Sequence, residues 1–236
     1  MKYSNSRLIA SAIAAAALFV TAGARADLVY LPAENSQFQG SGLGSVNTVL
    51  TLSSPGSSSV ETGAVVANGA GVALQGDALG GASQFGLPTL GALNITDTSA
   101  LRIILNATEP AGNSITVGQL GLTFYDALNT ASITFTLGAP VVLASTLTGI
   151  GNAGFVFGLD AAQAAAASTF IAGSSTAFSA FRVGLASSLS DATGGPETFF
   201  IAGGEPLVSA IPEPKTYALM LAGLGAIGFI ARRRMR

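Results

Sequence analysis

Short runs of apolar residues recur along the middle of the chain, and turn-forming residues separate them. Within 132–137, for example, Ile133, Phe135 and Leu137 fall on one side of an extended strand, and the threonines between them fall on the other. Comparable runs predict strands at 28–30, 46–52, 60–67, 101–106, 115–125, 141–143, 154–159, 181–185 and 198–201. Eight or more short strands joined by turns predict a mainly β body, folded as an antiparallel β-sandwich.

One short helix interrupts the strands. Asp160 and Gln163 form a capping-box pattern, in which the aspartate accepts from first-turn amides and the glutamine reaches back toward the cap. The alanines of 164–167, which have the highest helix propensity, follow directly. Because this helix is short and rich in alanine, we expect it to pack across one end of the sandwich. The Gly-rich segment 68–100 is ambiguous and predicts no particular element.

The composition narrows the chemistry that the protein can perform. The 236 residues are 49% hydrophobic and only 9% charged, and they include no Cys, His or Trp. A Ser-His-Asp triad needs histidine, and a thiol nucleophile, a disulfide or a structural zinc site needs cysteine. We therefore expect none of these sites, and no metal or other cofactor.

The charges are divided unevenly along the chain. Three basic residues give residues 1–26 a net charge of +3, whereas eleven acidic residues against two arginines give residues 27–211 a net charge of −9. Because an acidic body repels phosphate, nucleic acid is excluded as a partner.

The N-terminus has the parts of a secretory signal peptide. A positively charged start is followed by thirteen apolar residues at 8–20 and then by Ala24 and Ala26, which match the small-x-small cleavage rule. Thirteen apolar residues are fewer than the roughly 20 that a transmembrane helix needs. We therefore predict that residues 1–26 direct the chain to the Sec machinery and that signal peptidase cuts before Asp27.

The chain ends in a Pro-Glu-Pro motif, an uncharged apolar stretch and a cluster of arginines. These parts are Pro212, Glu213 and Pro214, then residues 216–231, then Arg232, Arg233 and Arg234. Sixteen residues rise about 24 Å as a helix, so they can span a slightly thinned bilayer with a hydrocarbon core of about 30 Å. The positive-inside rule keeps the arginines cytoplasmic and places Pro-Glu-Pro on the outer side.

This tail resembles the PEP-CTERM sorting signal of Gram-negative bacteria. The matching parts are Pro-Glu-Pro, Tyr217-Ala218-Leu219, Gly223-Leu224 and the terminal arginines, while Lys215 stands where the family commonly has Ser or Thr. The resemblance implies that the membrane protease-transpeptidase exosortase recognises and removes the tail, so that the membrane anchor is transient. It also implies release to the cell surface or the extracellular matrix, where such proteins often accompany exopolysaccharide and biofilm systems.

These observations divide the chain into three parts. Residues 1–26 are the predicted signal peptide, residues 27–210 the secreted β-rich body, and residues 211–236 the sorting signal with its span at 216–231. The resemblance covers only the last part, so it implies where the protein goes and implies nothing about what the body does.

Carboxylates are the only side chains in the body suited to acid–base catalysis. Asp191 and Glu197 flank a tight loop that can bring them together, and glycosidases use two carboxylates about 5 to 9 Å apart. A solvated turn before a strand explains the same two residues, and we favour that explanation. Arg102 lies in an apolar strand, where it either binds a carboxylate ligand or faces solvent, and we expect the second.

Three hypotheses for the body follow. The first is a non-enzymatic surface or matrix protein with a structural or interaction role, whose partners are secreted polysaccharide or matrix proteins. The second is a carbohydrate-binding module, although the chain has no Trp and only four Tyr to stack on sugars. The third is a surface hydrolase that uses Asp191 and Glu197. We favour the first, because the chain carries a sorting tail and no recognisable catalytic constellation.

Overall fold

The structure of the protein is a computed structural model that describes residues 27–38, 48–56, 58–81, 86–110, 112–144 and 153–204. The strands in these ranges are β1 (Val29–Tyr30), β2 (Thr48–Leu52), β3 (Val60–Asn68), β4 (Gly71–Gly76), β5 (Leu101–Ala107), β6 (Ser114–Tyr125), β7 (Ser132–Thr136), β8 (Val141–Ala144), β9 (Ala153–Gly158), β10 (Arg182–Ser190) and β11 (Glu197–Gly203). The helices in the same ranges are α1 (Ala161–Ala172) and three short 3-10 helices at Pro32–Phe38, Thr98–Ala100 and Phe178–Ala180.

The strands form two antiparallel sheets. The first sheet has the order β1-β9-β5-β11-β2, and the second has the order β4-β3-β10-β6-β7, with β8 also paired to β6. Neighbours within a sheet come from distant parts of the chain, since β11 lies between β5 and β2. The prediction of a mainly β body with antiparallel sheets is confirmed.

Apolar side chains from both sheets meet in one continuous core. On β10, Val183, Leu185 and Leu189 belong to this core, and on β11 Phe199 and Ile201 do. The spacing of two follows from the alternation of side chains along a strand. Burial of such side chains contributes roughly 25 cal/mol per Å² of apolar surface, and it has to stabilise a chain that contains no cysteine.

The outer face of the first sheet is covered by the N-terminal arm. The 3-10 helix Pro32–Phe38 places the ring of Phe38 6.1 Å from that of Phe200, over a small second apolar cluster that includes Val156. Asn35 fixes the arm in place, because its Oδ1 accepts a hydrogen bond from the Val156 amide at 3.0 Å. The strands in the middle of the first sheet are therefore buried on both faces.

Arg102 is completely buried, so the prediction that it faces solvent is wrong. Its Nε donates to Oε2 of Glu34 at 2.7 Å, and its Nη2 donates to Oε1 of the same carboxylate at 3.1 Å. The Nη1 group donates to the carbonyls of Ser99 and Leu101. Arg102 does point away from the core, but the N-terminal arm lies over that outer face of the sheet, buries the side chain and supplies Glu34 as its partner.

Both ends of the described body lie at the same end of the first sheet. Val29 pairs with Gly158, Gly158 with Arg102, and Arg102 with Ala202, so these four residues form one row across the sheet. We call this the terminal end, because the chain enters and leaves the sheet there. The opposite end, where β5 and β2 finish and Glu197 begins β11, is called the distal end.

The predicted helix is confirmed, and its cap has the expected partner. Oδ1 of Asp160 accepts a hydrogen bond from the Gln163 amide at 2.7 Å, and α1 continues to Ala172. The helix packs beside the 3-10 turn before β5, where the Thr98 hydroxyl donates to the Ala164 carbonyl. Strand β4 lies in the Gly-rich segment for which the sequence predicted no element.

The predicted signal peptide at 1–26 and the sorting signal at 211–236 lie outside the described residues. Within the part of the chain that the structure does describe, no helix has the length and apolar character needed to cross a membrane.

The buried ion pair gives a prediction for stability. Glu34→Leu should destabilise the protein by about 3 kcal/mol, because it leaves a fully buried guanidinium without its counter-charge. The double variant Glu34→Leu/Arg102→Met should recover a large part of this loss, since no unpaired charge is then buried. Urea unfolding of both variants measures the difference, and a double variant no more stable than Glu34→Leu would contradict the explanation.

Candidate functional site

Three glutamates lie together at the distal end, and we call them the glutamate cluster. Glu61 is the second residue of β3, Glu109 follows β5, and Glu197 is the first residue of β11. Their exposed fractions are only 5%, 2% and 0%. Glu197 shares its side of β11 with Phe199 and Ile201, so the apolar core ends in carboxyl groups at this point.

Glu197 is the most deeply buried member of the glutamate cluster. Its Oε2 accepts a hydrogen bond from the Thr108 amide at 2.8 Å. Burial raises the pKa of Glu197 to about 8, and although the Thr108 amide lowers the pKa, the charges of Glu109 and Glu61 raise it again. At neutral pH the group is therefore mostly protonated, and its other oxygen, Oε1, has no hydrogen-bond partner among the described residues.

Glu109 holds the loop that leads into β11. One carboxylate oxygen accepts from the amides of Thr193 at 2.7 Å and Gly194 at 3.1 Å, and the other accepts from the Thr193 hydroxyl at 2.7 Å. Gly194 lies so close to the Thr108 carbonyl that a Cβ at this position would clash with it. Glu109 and Gly194 together fix the loop against the end of β5.

Glu61 lies on the other side of the cluster and faces the Ser-rich loop that joins β2 to β3. Its Oε1 accepts from the Ser54 amide at 3.1 Å, and its Oε2 has no hydrogen-bond partner among the described residues. Burial raises the pKa of Glu61, and the nearby charges of Asp77 and Glu109 also raise it, against the lowering effect of the Ser54 hydrogen bond. Glu61 also lines a polar cavity of about 470 Å³, between the Ser-rich loop and the loop of Thr193.

The arrangement of the glutamate cluster suits loop fixation. Each carboxyl group accepts at least one backbone amide from a loop or strand end, which joins the two sheets where their apolar side chains run out. Among the described residues, no group of three or more His, Cys, Asp or Glu side chains has an arrangement that holds a metal ion.

The structure gives Asp191 and Glu197 different surroundings. Asp191 is exposed, has a positive φ of 63° in a turn, and accepts a hydrogen bond from the Thr116 hydroxyl at 3.0 Å. The explanation of a solvated turn therefore fits Asp191. The same explanation is wrong for Glu197, because the alternation along β11 turns its side chain into the core.

Sequence reasoning missed Glu61 and Glu109. They are 48 positions apart in the chain, and only the pairing of distant strands places them beside Glu197. One signal was present for Glu61: it occupies the same side of its strand as Val65, a position where an alternating strand buries its side chain.

A second candidate is a shallow trough of about 560 Å³ on the outer face of the second sheet. Its floor consists of Ala64, Ala186 and Gly121, which are paired across β3, β10 and β6. Amide and hydroxyl side chains stand around this floor, and they are Thr62, Gln75, Gln119 and Thr136. None of the residues that line the trough is charged.

Comparison with known proteins identifies the tail. Residues 210–234 match the family model described as the PEP-CTERM protein-sorting motif, which confirms the resemblance seen in the sequence. This motif supports an exported protein that exosortase processes at the envelope and surface of a Gram-negative bacterium. No similar curated protein and no similar solved structure was found.

The glutamate cluster predicts that stability falls as pH rises. Between about pH 4.5 and 8 the folded protein keeps a proton on Glu197 that the unfolded chain has already lost, so the free energy of unfolding decreases across this range. The loss should be on the order of 5 kcal/mol and complete above the folded pKa. Glu197→Gln, which cannot ionise, should remove most of this loss, and urea midpoints at about pH 5 and 9 measure it.

Asp191→Asn is the matched control for this experiment, since it makes the same chemical change in an exposed carboxyl of the adjoining loop. It should leave the pH dependence of the wild type intact. If both substitutions reduced the pH dependence of the unfolding free energy equally, Glu197 would not be the source of that dependence.

Proposed function

We propose that the chain is an exported, exosortase-processed protein of the cell surface or extracellular matrix, with a structural or interaction role alongside exopolysaccharide. The observation that carries this proposal is the PEP-CTERM motif at 210–234, which lies seven positions beyond the last described strand. The partners in processing are the Sec machinery, signal peptidase and exosortase. The apolar stretch at 216–231 anchors the chain in the membrane until the tail is removed.

The position of the chain ends supports this arrangement. The last strand finishes at Gly203, and the matched motif begins at residue 210. Even a fully extended connection of this length reaches only about 25 Å. The apolar stretch begins at residue 216, so a tether of at most about 45 Å joins Gly203 to it and keeps the body within that distance of the membrane while the tail is intact.

The start of the body supports removal of residues 1–26. Leu28 is only 2% exposed, and its amide donates to the Thr136 carbonyl at 2.9 Å. Since the folded body begins within two residues of the predicted cleavage site, signal peptidase removes the leader without taking any core residue.

A non-enzymatic role agrees with the surroundings of the carboxyl groups. Glu197 is inaccessible to a substrate, and Glu109 already accepts three hydrogen bonds from one loop. Asp191, the other half of the carboxylate pair considered from the sequence, is bonded to Thr116. These groups support fixation of the distal loops better than they support hydrolysis.

One observation favours a second candidate function, the binding of a neutral polysaccharide. The trough on the second sheet combines a flat floor of small side chains with uncharged amides and hydroxyls at its sides. A sugar chain has apolar ring faces and hydroxyl edges, so this lining matches both of its surfaces. No aromatic residue lines the trough, so the match does not depend on stacking of sugars against aromatic rings.

The two proposed cleavages, by signal peptidase and by exosortase, set both ends of the mature protein. Intact-mass measurement of protein recovered from the cell surface and the medium should find a species that begins at Asp27 and lacks the apolar stretch and the arginines. Substitution of Arg232, Arg233 and Arg234 by Ser should leave the tail attached and the protein in the membrane fraction. A wild-type species that still ends at Arg236 and occurs only in the inner membrane would overturn the proposal.

The trough gives a separate prediction. Ala186→Arg fills the floor with a long charged side chain, so it should abolish retention of the protein on an affinity gel made with neutral polysaccharide from the producing cells. Leu128→Arg introduces the same charge at an exposed loop position outside the trough and should bind as the wild type does. Equal retention of all three proteins would remove this candidate and leave the sorting proposal untouched.

A further inference from the structure

The backbone nitrogen of Asp27 lies beside a carboxylate. It donates to Oδ2 of Asp160 at 3.1 Å, across 133 positions of sequence. Asp27 is also the residue before which the signal peptide is predicted to be cut. The atom that contacts Asp160 is thus the one that becomes the α-amino group of the processed chain.

Asp160 is held in place independently of Asp27. Its other oxygen, Oδ1, accepts from the Gln163 amide at 2.7 Å and caps helix α1. The two oxygens of one carboxylate therefore serve two partners, the start of the body and the start of the helix. Neither partner blocks the other.

The residues after Asp27 are equally well fixed. Leu28 is buried and forms a bridge with Leu137, and Val29 pairs with Gly158 of β9. The Asp27 side chain packs against the backbone of Gly138, where a Cβ would clash with it. These contacts hold the nitrogen of Asp27 near Asp160 whether or not a residue precedes it.

We propose that cleavage before Asp27 converts this hydrogen bond into an ion pair between the new α-ammonium group and the Asp160 carboxylate, and that this pair makes the processed chain more stable than its precursor. The inference rests on the proposed function for the cleavage itself. In the precursor the donor is a neutral peptide N–H, whereas after hydrolysis of the peptide bond it is a positively charged group with three protons. The bond of the precursor has one charged partner, and cleavage adds the Coulombic attraction between two opposite charges in contact.

The position of the cut matters for this effect. One extra residue at the N-terminus moves the charge by about 3.5 Å and returns the Asp27 nitrogen to a neutral amide. The ion pair therefore forms only when the leader is removed at this bond, which happens on the outer side of the membrane. The gain in stability is confined to chains that have completed export.

The test is a double-mutant cycle on chains that all continue to Arg236 in the same detergent. Proteins beginning at Asp27 and at Ala26 are released from a fusion partner by a protease that leaves no extra residue, each with and without Asp160→Asn. Asparagine caps helices about as well as aspartate, so this variant removes the charge and keeps the cap. Thermal unfolding is measured at about pH 6.5, where a free α-amino group is protonated.

With Asp160 present, the chain that begins at Asp27 should unfold about 2 to 4 °C above the one that begins at Ala26. With Asp160→Asn the difference should fall below about 1 °C. Asp97→Asn, which changes the cap of another helix, should leave the full difference in place. The proposal is overturned if the difference is the same with and without Asp160→Asn, or if it is absent from both.

This result is independent of processing in the cell, because the start of each chain is set by the protease. A missing coupling would overturn the ion pair and leave the sorting proposal standing. A surface species that begins elsewhere than at Asp27 would overturn the predicted cleavage, whatever the cycle shows.

Discussion

A single apolar layer between two sheets has to hold this body together, because the chain has no cysteine to cross-link it and few charges to pair. Such a layer must also be closed at its ends, where strands stop and side chains become sparse. The protein closes the distal end with Glu61, Glu109 and Glu197, which accept hydrogen bonds from the backbone of the loops around them. Burial raises the pKa of two of these carboxyl groups, those of Glu61 and Glu197.

Arg102 and the glutamate cluster solve the problem of buried charge in opposite ways. Arg102 keeps its charge, since Glu34 supplies the opposite one and two carbonyls accept hydrogen bonds from its Nη1 group. Glu197 gives up its charge, since its nearest ionisable neighbours are also acidic. The stability of the distal end therefore depends on pH through Glu197.

How much the sequence reveals depends on the range of the interaction concerned. Strands such as β7 and the capped helix α1 depend on alternation and on contacts a few residues apart, and both were predicted. The burial of Arg102 depends on the N-terminal arm that lies over it, and the burial of Glu197 depends on the pairing of distant strands around it. Strand β4 lies in a Gly-rich segment without the alternation of apolar and polar residues that predicts a strand. The sorting motif was recognisable because its parts are contiguous in the chain.

The described body has both of its ends on one side of the first sheet. Because Val29 and Ala202 lie in one row of that sheet, the chain enters and leaves the described body at the same end. Under the proposed processing, signal peptidase and exosortase cut the segments outside this row, so neither cleavage removes a strand from the sheet. The distal end, where the glutamate cluster closes the core, lies at the opposite end of the sheet from both segments.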